Sequence, residues 1–270
     1  MGRIDTARST LSENQSKPSY ALIVEIRVTL PAQMQARRTI LIFDADDTLW
    51  ETQSLYEKSK KDFLARMEKV KFARRESIDL FESIDRRNVE RFGFSRRRFP
   101  QSMIDTYRAL CLAHDRRIDR SVAQRIRRAG ERVFQATPRL LKGARETLSK
   151  LRARGLRMVL ATKGDRAVQV RRIAQSGLRQ FFERVYVLPE KGAKEFRQIV
   201  RAEKGDPSRS WSIGNSIRSD INPALAAGLN VIWVPRETWI YEEERPTKKR
   251  GFHRAKSIED VPAIVLRSDL

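Results

Sequence analysis

The sequence predicts an α/β fold in which helices flank a parallel sheet and an all-helical cap is inserted after the first core strand. Three observations support this fold class: a continuous apolar run at residues 39–43, purely helical periodicity over residues 54–136, and alternating strand and helix patterns from residue 137 onward. Strands that alternate with helices through short loops are typical of a parallel sheet covered on both faces. The predicted core is therefore Rossmann-like.

The first predicted strand is the run TILIF at residues 39–43. It has no alternating polar positions, as expected for a strand buried on both faces of a sheet. The strand ends abruptly in the acidic stretch DADDT at residues 44–48. The preceding residues 1–37 begin with a polar, serine-rich stretch, and we expect them to be a disordered N-terminal extension outside the fold.

Residues 54–136 are predicted to form a helical cap. Apolar residues recur there at three- and four-residue spacing, and no strand-like run is present. Breaks near Gly93, near Pro100 and in the polar stretch at residues 115–121 divide this region into about four helices. The triplet Arg96, Arg97 and Arg98 lies within it, and we expect these side chains to be mostly solvated.

The pattern after residue 137 alternates between the two element types, and we assign residues 38–53 and 137–270 to the α/β core. A glycine at position 228 is expected to end one of the helices. Ser257 is expected to cap a last helix, with Asp260 at its third position. The predicted helices cover residues 143–154, 165–182, 193–203 and 221–227, and the strands cover 157–162, 185–188, 211–213 and 231–234, with a further short strand at 254–257.

The chain is strongly basic, with 56 Lys and Arg against 34 Asp and Glu and a formal net charge of +22. This excess favours anionic partners. The basic residues are dispersed along the sequence rather than grouped with aromatic residues, and no helix-turn-helix, RNA-recognition or zinc motif is present. We therefore expect a small anionic substrate rather than nucleic acid, and a regulatory or nucleic-acid-binding protein stays as the alternative.

The cysteine count and the hydropathy of the sequence indicate the cellular compartment of the protein. The only cysteine, Cys111, cannot form an internal disulfide, which fits a reducing, cytoplasmic setting. No apolar run approaches the ~20 residues that span a bilayer, so no membrane partner is expected. Both a monomer and a homodimer are compatible with the sequence.

Polar residues follow the predicted strands at their carboxyl ends, where ligands bind in open α/β sheets. Carboxylate and amide oxygens together suit a hard cation, best Mg²⁺, while lysine and threonine suit phosphoryl oxygens. The set therefore fits phosphoryl transfer better than acyl transfer or redox chemistry. Lys163 and Lys194 are alternatives to the lysine in this set. The candidates are Asp44, Asp46, Thr162, Lys191, Asn215 and Asp220.

Four short motifs occur in the order seen in haloacid dehalogenase-like hydrolases, and the chain resembles the capped phosphatases of that family. The segment FDADDTL at 43–49 is similar to the first signature, Asp-x-Asp-x-Thr after an apolar strand. The segment LAT at 160–162 resembles the second, and the lysine of PEKG at 189–192 the third. The segment IGNSIRSD at 213–220 resembles the fourth.

The resemblance implies a mechanism. Asp44 would attack phosphorus and form an aspartyl-phosphate, and Asp46 would protonate the leaving oxygen and then activate water. Thr162 and Lys191 would bind the transferring phosphoryl oxygens. Mg²⁺ would be held by the Asp44 carboxylate, the Asp46 backbone carbonyl and the fourth signature, that is Asn215 and Asp220.

Three details qualify this resemblance. An acid at Asp46 argues against a dehalogenase, whereas a phosphotransferase would share every catalytic residue and stays an alternative. Asn215 stands where the family usually has aspartate, so the site loses one negative charge and weaker Mg²⁺ binding is expected. Trp50 follows the first signature where the chain leaves the core, and we expect it to pack at this hinge.

Overall fold

The computed structural model describes residues 39–236, 244–247 and 250–268. The predicted disordered extension at residues 1–37 lies outside these ranges. Within them, none of the helices is both long enough and apolar enough to cross a membrane.

The core is a six-stranded sheet in which every pair of neighbouring strands is parallel. Its order is β5-β4-β1-β6-β7-β8, which places the first strand in the interior of the sheet. All four residues of that strand are buried, which explains its continuous apolar sequence. The strands are β1 (Ile40–Phe43), β4 (Arg157–Lys163), β5 (Arg184–Leu188), β6 (Trp211–Gly214), β7 (Asn230–Trp233) and β8 (Phe252–Arg254).

Helices cover both faces of this sheet. Leu41 and Phe43 belong to one apolar cluster with the helices α5 (Ala144–Ala153) and α9 (Val261–Ser268). Ile40 and Ile42 belong to a second cluster with α7 (Ala193–Ala202) and α8 (Asn222–Ala226). Alternate residues of β1 therefore serve two separate layers of the core.

Four helices separate the first core strand from the rest of the sheet, and together they form the helical insert. They have an apolar cluster of their own, built around Phe63, Met103 and Ile126. The chain leaves and re-enters the core through a short antiparallel ribbon of β2 (Trp50–Glu51) and β3 (Arg139–Leu140). The predicted fold class is confirmed. The helices of the insert are α1 (Gln53–Lys69), α2 (Arg74–Phe92), α3 (Arg98–Ala113) and α4 (Arg120–Gln135).

Some predicted boundaries were wrong for local reasons. The helix predicted at 165–182 is α6 (Arg166–Ser176), because Gly177 adopts a left-handed conformation with φ 65° and ends it. Pro100 does not divide two helices but lies in the first turn of α3, where its missing N–H costs no helical hydrogen bond.

Two elements near the C-terminus also differ. The short strand predicted at 254–257 lies at Phe252–Arg254 and pairs with β7. The helix predicted at 221–227 is preceded by a π-turn at Ile217–Ile221, so α8 is short. The predicted cap at Ser257 is confirmed, because its side chain accepts a hydrogen bond from the backbone N–H of Glu259.

Candidate active site

All six candidate residues line one cavity between the carboxyl edge of the sheet and the helical insert. The cavity has a volume of about 190 Å³, which suits a small compound. Parallel strands bring their ends to the same edge, so residues far apart in sequence meet there. They are Asp44, Asp46, Thr162, Lys191, Asn215 and Asp220.

Asp44 is a buried carboxylate directly after β1. Its backbone N–H donates to the carbonyl of Ile213 at 2.9 Å, and its Oδ2 accepts a hydrogen bond from Thr48 Oγ1 at 3.0 Å. Its Oδ1 accepts from Lys191. Burial raises the pKa of Asp44 to about 7, with Asp220 adding to the rise and Lys191 opposing it. Burial together with Asp220 therefore disfavours the charged form of Asp44 more than Lys191 favours it.

Lys191 connects Asp44 of the first motif with Asp220 of the fourth. Its Nζ donates to Asp44 and to Asp220 Oδ1, the latter at 2.6 Å. Burial alone would lower the pKa of Lys191, but Asp220 and Asp44 together raise it, so the ammonium keeps its charge. Of the two alternative lysines, Lys163 lines the cavity but donates to Ser219 Oγ at 2.7 Å, and Lys194 does not line it.

Asp46 is held by three donors that approach both of its oxygens. Trp50 Nε1 donates to Oδ1 at 2.7 Å, and Gln169 Nε2 donates to Oδ2 at 2.7 Å. Arg172 Nη1 lies 3.3 Å from Oδ1 and 3.2 Å from Oδ2. The predicted hinge residue Trp50 is fully buried and also contacts this carboxylate.

Two functional residues that the sequence motifs did not indicate, Gln169 and Arg172, lie three residues apart on α6. Arg172 is only 2% exposed, and its Nη2 donates to the carbonyl of Val133 at 3.0 Å. Val133 lies in the last turn of α4, where carbonyls lack helical partners and a cation is favourable. Arg172 therefore connects Asp46 to the helical insert.

Asp47 stabilises the turn that contains Asp44 and Asp46. Asp47 has φ 59°, a left-handed conformation that Asp tolerates better than most residues. Its side chain accepts hydrogen bonds from the backbone N–H groups of Thr52 at 2.8 Å and Gln53 at 3.0 Å. These bonds cap the start of α1, so the acidic turn also sets where the insert begins.

The fourth motif places an amide and a carboxylate beside Asp44. Asn215 Oδ1 accepts from Thr48 Oγ1 at 3.3 Å, and Asp220 Oδ2 accepts from the backbone N–H of Ser216 at 3.0 Å. A Cβ at position 214 would collide with the Asp220 carboxylate, which explains the glycine there. Thr162 is buried at the end of β4.

The oxygen atoms of Asp44, Asn215 and Asp220 could hold a metal. They are carboxylate and amide oxygens, the hard donors that Mg²⁺ prefers. Among the described residues no group of three or more His, Cys, Asp or Glu is arranged to hold a metal ion, so the candidate donors are two carboxylates and one amide. The buried Asp44 and Asp220 carboxylates would both be stabilised by a cation placed between them.

The helical insert lines the other side of the cavity. Tyr56 packs edge-on against Phe99, with ring centroids 4.9 Å apart. The expectation of a solvated side chain was wrong for Arg98, which is buried because it forms an ion pair with Asp85. Burial raises the pKa of Tyr56 against the lowering effect of Arg172 and Arg98, so the phenol stays protonated. These side chains would face the organic part of a substrate.

The sequence model of the haloacid dehalogenase-like hydrolases matches residues 39–228 of this chain. Since this covers well over half of the sequence, the chain belongs to that family. The chain is thus a haloacid dehalogenase-like hydrolase.

Two individual relatives are similar to this chain in sequence. The chain is 26% identical to glyceraldehyde 3-phosphate phosphatase from Pyrococcus furiosus over 73% of this chain and 80% of the relative. It is 29% identical to the pyrimidine 5'-nucleotidase PynA of Streptococcus pneumoniae, over 40% of this chain and 48% of that protein.

Solved structures agree with the fold. A haloacid dehalogenase-like hydrolase from Xanthomonas campestris superposes with a TM-score of 0.74 at 28% identity, covering 87% of this chain and 94% of its own. The HAD-hydrolase YfnB from Bacillus subtilis, solved bound to magnesium, gives a TM-score of 0.56 at 20% identity, with coverage of 85% and 99%. This second likeness concerns the fold alone.

Proposed function

We propose that the protein is a Mg²⁺-dependent phosphatase that hydrolyses a small phosphorylated metabolite through an aspartyl-phosphate on Asp44. The observation that carries the proposal is the cluster at the end of β1, where the buried Asp44 contacts Lys191 and Asp46 lies two residues further on in the same cavity. The phosphatases among the relatives support a phosphate ester as substrate.

In the first step, an Asp44 oxygen attacks phosphorus while the bond from phosphorus to the leaving oxygen breaks. Asp46 donates a proton to that oxygen, which leaves as an alcohol. Thr162 and Lys191 hold the oxygens of the transferring group and offset the charge that develops on them.

In the second step, Asp46 accepts a proton from a water molecule that attacks phosphorus, and the bond to Asp44 breaks. Phosphate and the free Asp44 carboxylate result. Bound Mg²⁺ would supply positive charge between the anionic nucleophile and the anionic phosphate. Asp44, the Asp46 backbone carbonyl, Asn215 and Asp220 are the residues that would hold it.

The cavity favours a small substrate. Its volume of about 190 Å³ lies below the range of pockets that hold drug-sized ligands. The insert would exclude bulk water from the reacting atoms. We further propose a cytoplasmic protein, since the single cysteine, Cys111, is buried and not in a disulfide.

The test is hydrolysis of 4-nitrophenyl phosphate with Mg²⁺, with EDTA, and by the variants Asp44→Asn and Asp119→Asn. Asp119 caps α4 outside the cavity, and Asn caps a helix equally well, so Asp119→Asn is the matched control. We expect Mg²⁺-dependent turnover that is retained in the control and lost in Asp44→Asn.

A second measurement follows the intermediate. Asp46→Asn should slow hydrolysis of the aspartyl-phosphate, so labelled phosphate should remain on the protein after acid quench. Turnover that persists in Asp44→Asn, or no turnover by the wild-type chain with any divalent metal, would contradict the proposal.

A further inference from the structure

A second groove, of about 810 Å³, lies where the helical insert meets α6 of the core. Six arginines line it, and we call it the arginine groove. They come from the end of α2, the α2–α3 connection, α3, α4 and α6, so their grouping is not visible in the sequence. The six are Arg91, Arg96, Arg97, Arg108, Arg127 and Arg171.

Acidic residues offset little of this charge. Among the described residues, the acidic side chains that line the groove are Asp105 and Glu131, and Arg96 lies 3.9 Å from Asp165 outside it. Arg108 lies 3.9 Å from Asp105, whose Oδ1 already accepts a hydrogen bond from Gln101 Nε2 at 2.7 Å. Within the described residues, the side chains of Arg97 and Arg127 have no ion-pair partner. Grouping like charges in this way is unfavourable unless an anion binds.

Arg171 is the arginine that the core contributes to the groove. Its Nε and Nη2 atoms are buried and have no hydrogen-bond acceptor among the described residues, so the guanidinium would gain acceptors by turning toward an anion in the groove. Phosphate oxygens match the planar donor fork of arginine, which can bind them through two parallel hydrogen bonds.

We propose that the arginine groove binds a compact polyanion that carries several adjacent phosphate groups, such as a triphosphate chain. Nucleic acid fits less well, because single strands are bound by stacking on free aromatic faces. Two rings line the groove. The guanidinium of Arg91 covers Phe92 at 5.0 Å, and Phe134 packs against Tyr56 with centroids 6.2 Å apart.

The position of the groove suggests what binding does. Arg127 belongs to the helical insert and Arg171 to the core, so one ligand that contacts both joins the two parts. Phe134 and Val168 line both the groove and the catalytic cavity. The proposal does not rest on the proposed phosphatase activity, because the groove contains none of the candidate catalytic residues.

The experiment is calorimetric titration of inorganic tripolyphosphate in EDTA, which removes divalent metal and so prevents turnover. The test variant is Arg127→Gln with Arg171→Gln. The control is Arg201→Gln with Arg209→Gln, which removes the same charge from exposed residues outside both cavities. We expect the dissociation constant to rise about tenfold or more in the test variant and about twofold or less in the control.

Thermal unfolding provides a second readout. Tripolyphosphate should raise the melting temperature of the wild-type and control chains but not of the test variant. Equal weakening in both double variants would show nonspecific attraction to a basic protein and overturn the proposal. Absence of binding by the wild-type chain would do the same, as would tighter groove-dependent binding of a single-stranded oligonucleotide.

Discussion

Replacing Arg172 with glutamine would remove one of the three donors that hold Asp46. The change breaks the contacts of Nη1 at 3.2 and 3.3 Å and the bond from Nη2 to the Val133 carbonyl. Trp50 and Gln169 would still donate to Asp46. The variant therefore leaves the carboxylate in place but less firmly oriented, and loosens its connection to α4.

The size of the effect can be estimated from the contacts. A hydrogen bond to a charged group contributes about 1.5–3 kcal/mol, and general acid catalysis contributes about 10²–10⁴-fold. Because two donors to Asp46 remain, we expect kcat/KM for phenyl phosphate to fall about 10–100-fold. The free energy of unfolding should fall by about 2–3 kcal/mol, since Arg172 is buried whereas the Asp46 side chain is 28% exposed.

The assay compares two substrates that differ in their need for an acid. The step that kcat/KM reports is transfer to Asp44, in which phenolate needs a proton and 4-nitrophenolate does not. We expect a loss of less than about threefold for 4-nitrophenyl phosphate. Arg172→Lys keeps the charge and should recover part of the rate. Arg166→Gln, an exposed residue of the same helix, is the control.

The result that would refute this reasoning is an equal loss with both substrates. A second refutation comes from the double variant Arg172→Gln with Asp46→Asn. If Arg172 acts through Asp46, its removal should matter little once the acid is gone. Fully additive losses would mean that Arg172 only stabilises the fold.

Three further substitutions test the charges and contacts of the site. Asn215→Asp adds a negative oxygen ligand, so the Mg²⁺ concentration for half-maximal activity should fall about tenfold. Burial and Asp220 raise the pKa of Asp44 from 3.8 to about 7, so the folded, metal-free protein binds this proton more tightly than the unfolded chain does. Its stability should therefore fall as pH rises between these values, as measured by urea unfolding in EDTA at about pH 5 and about pH 8. Asp44→Asn should weaken that dependence without removing it, because burial also raises the pKa of Asp47. Trp50→Phe loses the bond to Asp46 and part of a fully buried ring, and should lower the free energy of unfolding by about 2–3 kcal/mol in the same assay.

Each of these expectations has a contrary outcome. An unchanged Mg²⁺ requirement in Asn215→Asp would remove Asn215 from the metal site. A wild-type stability that rises with pH over the stated window would mean that the Asp44 carboxylate is well compensated without metal. A Trp50→Phe chain as stable as the wild type would make the bond to Asp46 energetically neutral.

The fold was predictable because its signals are local. A strand buried on both faces must be apolar throughout, and β1 is, so the run at 39–43 predicts this strand to within one residue of its observed start at Ile40. The four helices of the insert have apolar stripes at helical spacing, which seat Phe63, Met103 and Ile126 in one cluster. Errors arose at ends, as at Gly177, where backbone conformation decides and sequence periodicity carries no information.

The sequence predicted that the candidate residues lie at one edge of the sheet, because parallel strands end there. It did not predict the contacts around Asp46. Helix α6 carries Arg166, Arg171 and Arg172, and which of them turns toward Asp46 depends on how the helix is rotated against the sheet. Arg172 is only 2% exposed, while Arg166 is exposed on the surface side of the helix. The same limit hid the arginine groove, whose members come from several elements and meet only after folding.

The charges at the site link the expected metal ion to the asparagine at position 215 of the fourth motif. The ion pairs of Lys191 and Arg172 join two cations to three carboxylates, those of Asp44, Asp46 and Asp220. Burial is the main cause of the raised pKa of Asp44, Asp220 adds to it, and either a proton or a metal can relieve this cost. A proton would disable the nucleophile, whereas a divalent cation leaves it ionised and also attracts the phosphate dianion. A fourth carboxylate in place of Asn215 would raise this cost, so the asparagine should weaken metal binding while making the metal-free protein easier to fold.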